Sequence, residues 1–443
     1  MCSTMKKIVS FFAGLLFYLA SFAQPVEEIN AFNAYYQKSI EELRALYGIR
    51  GSIFKCEPVA RPFDAIKLFL EVYRENKQKM GVIFYSVDTA WLRIWLIRDD
   101  QLYFSRQPVS KTQLKTIETN IRAALQVDLL LATRDSVQRG VILGASPGNQ
   151  TNLQTAIKEA TAVLLPPPIA ENLPGLQHLI LITEDNIGQI PFYILKPFKN
   201  DAYLVDSVSL SLAPHLCNLG NIAGMNKTIM GQPNRLFANK PLIVGNPAYA
   251  NTPEHNLPRL PGAAVEARMI SEWTNGQLLT DSAATLSTVK KLARKSDLLY
   301  FATHGYSDFE KVLDGSYLAF APDTANPSGL WTARQIQEEN FTAPQMMAVL
   351  SACQTGVGKI YDAGFIGLGR AFFKAGVDHT IMSLWSVNDK ATKELMILFF
   401  RDMLGKPRSF YPASHLREAI LKFKAKQSNP ALWAPFILFG FPY

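Results

Sequence analysis

Hydrophobic and polar positions change period along this 443-residue chain, and the changes divide it. From Pro25 to Tyr47 and from Pro62 to Lys79, apolar residues recur at spacings of three and four with charges between them, which predicts amphipathic helices. From Met80 the period falls to two. Gly81–Val87, Trp91–Ile97 and Gln101–Ser105 read as three strands, with Asp88-Thr89 and Arg98-Asp99-Asp100 as turns, so an antiparallel meander is expected. Helices follow at Lys111–Gln126 and Leu153–Leu164, and Pro166-Pro167-Pro168 breaks the chain. Beyond it, short apolar runs alternate with helical ones. Strands are expected at Leu179–Thr183, Leu298–Thr303, Met346–Leu350, His379–Trp385 and Trp433–Phe439, and a strand and turn at Pro241–Pro247, ending in Asn246-Pro247. Helices are expected at Ala263–Trp273, Ser287–Arg294, Phe365–Lys374, Lys390–Leu404 and Ala413–Lys424. This alternation implies crossover units, and hence an α/β fold with a mostly parallel sheet flanked by helices, preceded by the meander and the N-terminal helices.

Two of these strands end in residues that carry chemistry. Leu298–Thr303 runs into His304-Gly305, and Met346–Leu350 runs into Ser351-Ala352-Cys353, forty-nine positions after His304. In open α/β sheets the functional crevice lies outside the carboxyl ends of the strands, so His304 and Cys353 form a candidate base and nucleophile. A thiol attacks as its thiolate and needs a base within hydrogen-bond reach. The backbone N–H groups of Gly305 and Cys353 are candidate donors to the oxyanion that such an attack creates. A buried cysteine beside a satisfied core histidine is the structural alternative. Either residue alone would favour it, but the pairing at two strand ends favours the dyad.

Other patterns are weaker. His178, His215, His255, His379 and His415 stand singly, without metal-ligand spacing, so no metal or other cofactor is expected. Gly364, Gly367 and Gly369 lack the order and the Lys-Ser/Thr of a phosphate loop and read as a close-packed helix start. Ser351 is not in a glycine-flanked elbow, which argues against a serine hydrolase.

Composition changes the picture little: 48% hydrophobic and 19% charged residues describe a globular chain. The formal charge of +8 is dispersed, with no dense basic run, so nucleic acid is not an expected partner. The N-terminus says more. Lys6-Lys7 precede the apolar run Ile8–Leu19, and Ala20-Ser21-Phe22-Ala23 supplies the small residues of a cleavage site. Residues 1–23 read as a signal peptide, with Gln24 the first mature residue and Cys2 removed with the leader. No later apolar run reaches the roughly eighteen residues of a membrane span, so a periplasmic or extracellular chain with no stable membrane span is expected. Its cysteines would be Cys56, Cys217 and Cys353, an odd number that leaves a free thiol. A Cys56–Cys217 bridge is open, but nothing in the sequence fixes it.

Taken together, these segments resemble the CHAT domain, a caspase-like module often found beside tetratricopeptide repeats. Phe301–Gly305 and Leu350–Gly356 resemble its two catalytic blocks, the second departing from the Gln-Ala-Cys-x-Gly signature of caspases. Leu260-Pro261-Gly262-Ala263 with Glu266, Gly367–Phe372, Ser383–Asp389 and Asp185–Leu195 resemble others. The resemblance covers about residues 80–443, after a short helical segment at 24–79. It implies a caspase/separase-like cysteine peptidase with a His304–Cys353 dyad. In separases a segment similar to Leu384–Asp389 borders the pocket for the residue before the cut. Ser383 and Trp385 are then pocket residues, and Asp389 is a carboxylate partner for a P1 Arg or Lys. By position alone, Asp389 is equally an N-cap for the helix that follows.

No period of about 34 residues is visible before the module, so the repeat array usual beside it is expected to be missing or reduced, with a separate activating protein as a candidate partner or a constitutively active domain as the alternative. Two functions remain: a secreted endopeptidase acting on protein or peptide substrates, or a binding and signalling scaffold that kept the fold and lost turnover. N-terminal sequencing of the exported chain should begin at Gln24. Retention of residues 1–23 in the mature chain would contradict the leader.

Overall fold

A computed structural model of the protein describes residues 26–47, 60–75, 77–132, 152–213, 239–250, 257–308, 311–341, 347–352, 360–361, 364–365, 367–405 and 411–440. The expected leader, the four cysteines Cys2, Cys56, Cys217 and Cys353, and the histidines His215 and His255 lie outside the described residues.

The chain opens with helices α1 (Val26–Tyr47) and α2 (Pro62–Glu75). The second stops four residues short of Lys79, because Lys77 takes a left-handed φ of 61° and Gln78 N–H closes on the Tyr73 carbonyl (2.9 Å). Strands β1 (Met80–Val87), β2 (Leu92–Arg98) and β3 (Gln101–Gln107) form the expected meander. It is not a separate layer, however, because β1 also pairs in parallel with β4 (His178–Ile182). Between them lie α3 (Lys111–Ala132) and α4 (Leu153–Leu164).

The remaining strands are β5 (Ser209–Ala213), β6 (Leu242–Pro247), β7 (Gln277–Asp281), β8 (Leu298–Ala302), β9 (Gly305–Tyr306), β10 (Tyr317–Ala319), β11 (Leu330–Thr332), β12 (Met347–Leu350), β13 (Ile360–Tyr361), β14 (Gly364–Phe365), β15 (His379–Ser383) and β16 (Phe436–Gly440). The helices between them include α5 (Pro261–Thr274), α6 (Leu286–Ala293), α7 (Leu368–Lys374), α8 (Asp389–Gly405) and α9 (Pro412–Lys424). Eleven strands make one sheet in the order β3-β2-β1-β4-β5-β16-β15-β12-β8-β6-β7. Apart from the meander, every neighbouring pair is parallel except β15–β16. The sheet is therefore two parallel blocks running in opposite directions, joined at that one antiparallel seam. In the second block the carboxyl ends of β6, β8, β12 and β15 all reach the same edge.

Alternation along β1 splits the interior in two. Ile83, Tyr85 and Val87 enter the larger core. Met80, Val82 and Phe84 enter a smaller one closed by α1 and α2, where Phe84 stacks on Trp95 with ring centroids 5.7 Å apart. On the larger side α5 packs on β6 and α8, and α8 on α9. No described helix is long and apolar enough to cross a membrane.

β4 and β5 are tied by a buried polar link. The Ser209 hydroxyl donates to the Gln177 carbonyl (2.9 Å), so it accepts from His178 Nδ1 (2.8 Å), and Ser211 donates to Nε2 (2.9 Å). This neutral imidazole is fully bonded, and burial pushes its pKa down to about 3 from 6.5. Below 6.5 the unfolded chain takes up a proton that the native chain refuses, so stability present above that pH is lost as pH falls toward 3. Urea midpoints should fall across this window with a His178 contribution of about 1.4 kcal/mol per pH unit. His178→Gln should flatten the slope. An unchanged slope would contradict the buried neutral ring.

Candidate active site

His304 lies two residues beyond the end of β8 and is 2% exposed. Its Nε2 lies 2.7 Å from the Pro258 carbonyl oxygen. A carbonyl can only accept, so Nε2 carries the proton and Nδ1 is the basic nitrogen of the neutral ring. The edge-on ring of Tyr249, 4.8 Å away between centroids, limits how the imidazole can turn. The backbone is fixed as well. The Thr303 hydroxyl donates to the Ala319 carbonyl and is hydrogen-bonded to Tyr249 Oη (3.2 Å), and Ala319 N–H donates to the His304 carbonyl (3.0 Å).

That last bond also fixes the direction of Gly305. Gly305 stands opposite Leu318 in the β9–β10 ladder. Because the Ala319–His304 bond brackets it, this is the non-hydrogen-bonded type of antiparallel pair, and the Gly305 N–H points away from β10.

The neighbouring strand end is held from below and from the side. β12 pairs with β8 through Leu350↔Phe301. The next residue, Ser351, donates to Glu266 Oε1 (2.8 Å), which also accepts from Tyr300 (2.8 Å). Glu266, on α5, is fully buried, so these hydroxyls replace water around its carboxylate. The Ala352 carbonyl accepts from the Ser383 hydroxyl at the end of β15 (2.7 Å). The chain is thus pinned at the two positions before Cys353, which itself lies outside the described residues.

Ser383 therefore belongs to the strand end where Cys353 is expected, bonded to main chain. Trp385 is buried, and its Nε1–H donates to the Ala431 carbonyl (3.0 Å). Asp389 is 4% exposed, and its carboxylate accepts from Gly262 N–H (2.6 Å) and Ala263 N–H (3.1 Å). It does not cap its own helix: Asn388 does, through Ala391 N–H to Oδ1 (2.9 Å) and Thr392 N–H to its carbonyl (2.9 Å). Asp389 instead satisfies the first turn of α5, whose N-cap Leu260 has no side-chain acceptor. Gly262 leaves the space for this, since a Cβ there would sit 2.4 Å from Asp389 Oδ2.

Sequence reasoning missed Tyr249, the Pro258 carbonyl and Asn246. Asn246 takes a left-handed φ of 49° at the end of β6 and accepts from Leu260 N–H (2.8 Å). The Asn-Pro dipeptide signalled a turn there, but not this contact. Gly369 bears out a close-packed helix start, because a Cβ on it would meet Met382 Sδ at 2.3 Å. Beside it, burial lowers the pKa of Arg370 to about 9, which leaves it cationic at neutral pH. Among the described residues no three His, Cys, Asp or Glu side chains gather to hold a metal.

Comparison with known proteins identifies the family and the fold. The family model of the CHAT domain matches residues 154–441. Tetratricopeptide repeat protein 28 of Homo sapiens is 25% identical over 301 residues, which cover 60% of this chain and 12% of that protein. Its Mus musculus counterpart is 24% identical over 298 residues, again 60% of this chain and 12% of the relative. The chain thus matches only a small part of these relatives' length. Among solved structures, the Saccharomyces cerevisiae separase–securin complex aligns with a TM-score of 0.54 at 11% identity, over 95% of this chain and 34% of that one. The Arg-specific cysteine proteinase gingipain R aligns at 0.41 and 10% identity, over 74% and 75%. The separase likeness is one of fold, and the family match covers well over half of the sequence. The chain belongs to the CHAT domain family, and its mixed, largely parallel sheet shares the fold of separase.

Proposed function

We propose that this chain is an exported cysteine endopeptidase in which His304 activates Cys353 for attack on a peptide carbonyl. The observation that carries the reading is the ladder pair Leu350↔Phe301. Cys353 and His304 each lie three residues beyond their half of this pair, on parallel strands that are about 4.8 Å apart in such sheets. With Nε2–H donated to Pro258, Nδ1 accepts the thiol proton. The thiolate then attacks the carbonyl carbon, and the oxyanion is held by the N–H groups of Gly305 and Cys353. The C–N bond breaks as the imidazolium protonates the leaving amine. Water, deprotonated by His304, hydrolyses the thioester and restores the thiol.

A preference for Arg or Lys at P1 belongs to the same proposal and rests on the similarity of Leu384–Asp389 to the separase segment. The Asp389 carboxylate is engaged by α5 and nearly buried, so another group would carry that preference. A separate protein is proposed to govern activity. The curated relatives are tetratricopeptide repeat proteins, which supports a protein partner for this module.

A peptide library cut by the mature chain should show basic P1 residues enriched. Cys353→Ala should abolish cleavage, and His304→Ala should lower kcat by about 10²–10⁴-fold. Cleavage unaffected by Cys353→Ala would overturn the mechanism. A folded, reduced wild type that cuts nothing and resists thiol-directed probes at Cys353 would leave the scaffold reading instead.

A further inference from the structure

His304 depends on a carbonyl that belongs to no strand or helix. Pro258 lies in the short stretch between residue 257 and the start of α5, and the exposed Pro258–Arg259 could move if nothing held it. It is held at both ends of its run into the helix. Upstream, Asn246 Oδ1 accepts from Leu260 N–H (2.8 Å), and Arg259 Nη1 donates to the Pro247 carbonyl (3.0 Å) while its Nη2 pairs with Asp281. Downstream, the Asp389 carboxylate takes the N–H groups of Gly262 and Ala263.

These contacts have a common geometry. Pro261 has no N–H, so Leu260, Gly262 and Ala263 provide the orphan donors at the start of α5. Each of the three finds an acceptor from another part of the fold: one from the end of β6, two from the first residue of α8. A carboxylate at a helix N-terminus is favoured by the aligned peptide dipoles as well as by the hydrogen bonds. Asn246 is suited to its place for a second reason, because asparagine tolerates the left-handed backbone found there.

We propose that Asp389 and Asn246 are positioning residues for His304, acting together by fixing Pro258–Ala263 so that the Pro258 carbonyl holds the imidazole in register with Cys353. The inference rests on the dyad reading above. It assigns Asp389 to the base side of the site, in place of the pocket for a basic P1 residue that its sequence context implied. Asp389→Asn keeps the size of the side chain but turns an NH₂ toward one of two N–H donors. Asn246→Gly keeps the left-handed backbone and removes the acceptor, and Asn246→Asp keeps an acceptor.

Two measurements on the full mature chain test this. The first is kcat and KM on peptides differing only at P1. The second is the pH profile of iodoacetamide alkylation at Cys353, followed on its own peptide by mass spectrometry, because a thiolate paired with imidazolium stays reactive at acid pH. Asp389→Asn and Asn246→Gly should each lower kcat, by as much as 10²-fold for a displacement of about 1 Å. KM and the ratio of basic to neutral P1 turnover should hardly change, and the acid shoulder of alkylation should shrink. Asn246→Asp should recover most of the loss. Circular dichroism at the assay temperature identifies any variant that has simply unfolded, and Asn246→Gly against Asn246→Asp then carries the comparison. Unchanged kcat and alkylation in Asp389→Asn would overturn the proposal, as would loss of the P1 preference in that variant. If wild-type alkylation is the same with and without His304→Ala, the dyad reading itself fails and the brace falls with it.

Discussion

The hydrogen bond from His304 Nε2 to the Pro258 carbonyl is the contact on which the rest of the site depends. It fixes which nitrogen is basic and where the ring lies. A side-chain acid could do the same but would bring a second titrating group into the site, whereas a carbonyl holds the proton at any working pH. The cost is that a main-chain oxygen must be placed by everything around it. Asn246 and Asp389 supply that placement on one side, and Tyr249 limits the ring on the other.

The sheet provides the second constraint. Two parallel blocks of opposite direction meet at β15–β16, so β6, β8, β12 and β15 finish together at one edge. Strand ends expose main-chain groups that the ladder no longer satisfies, and here the carbonyls of Ala352 and His304 are taken up by specific donors while a buried carboxylate gathers nearby hydroxyls. Ser383 takes the Ala352 carbonyl, Ala319 takes that of His304, and Glu266 gathers the hydroxyls of Ser351 and Tyr300. The same bonds that satisfy buried polar groups also aim the two chain segments that carry the proposed dyad.

Much of this was legible in the sequence because hydrophobic period and strand-end chemistry are local. The alternation of strand and helix, the His304 end of β8 and the apolar run before Cys353 could be read directly. β5 was missed because its Ser209 and Ser211 look like loop residues until His178, from another strand, uses both hydroxyls. β7 was missed as a half-exposed edge strand of mixed residues. The helix expected from Phe365 begins at Leu368 because Gly364–Phe365 pairs with Ile360–Tyr361, and the last strand starts at Phe436 after a helical turn at Pro430–Trp433. Asp389 shows the limit most clearly. Its sequence neighbours implied a pocket or its own helix, and its partners lie 126 and 127 residues away. No periodicity encodes such a contact. The Pro258 carbonyl leaves no trace in sequence at all, since any residue could offer one.

The central claim is that His304 and Cys353 work as one unit. An irreversible peptidyl ketone inhibitor with Arg at P1, mapped by mass spectrometry on the purified protein, tests it most directly. The dyad requires an adduct on Cys353 in the wild type and little or none in folded His304→Ala. An adduct formed equally well without His304, or none on Cys353 in the reduced wild type, would contradict it.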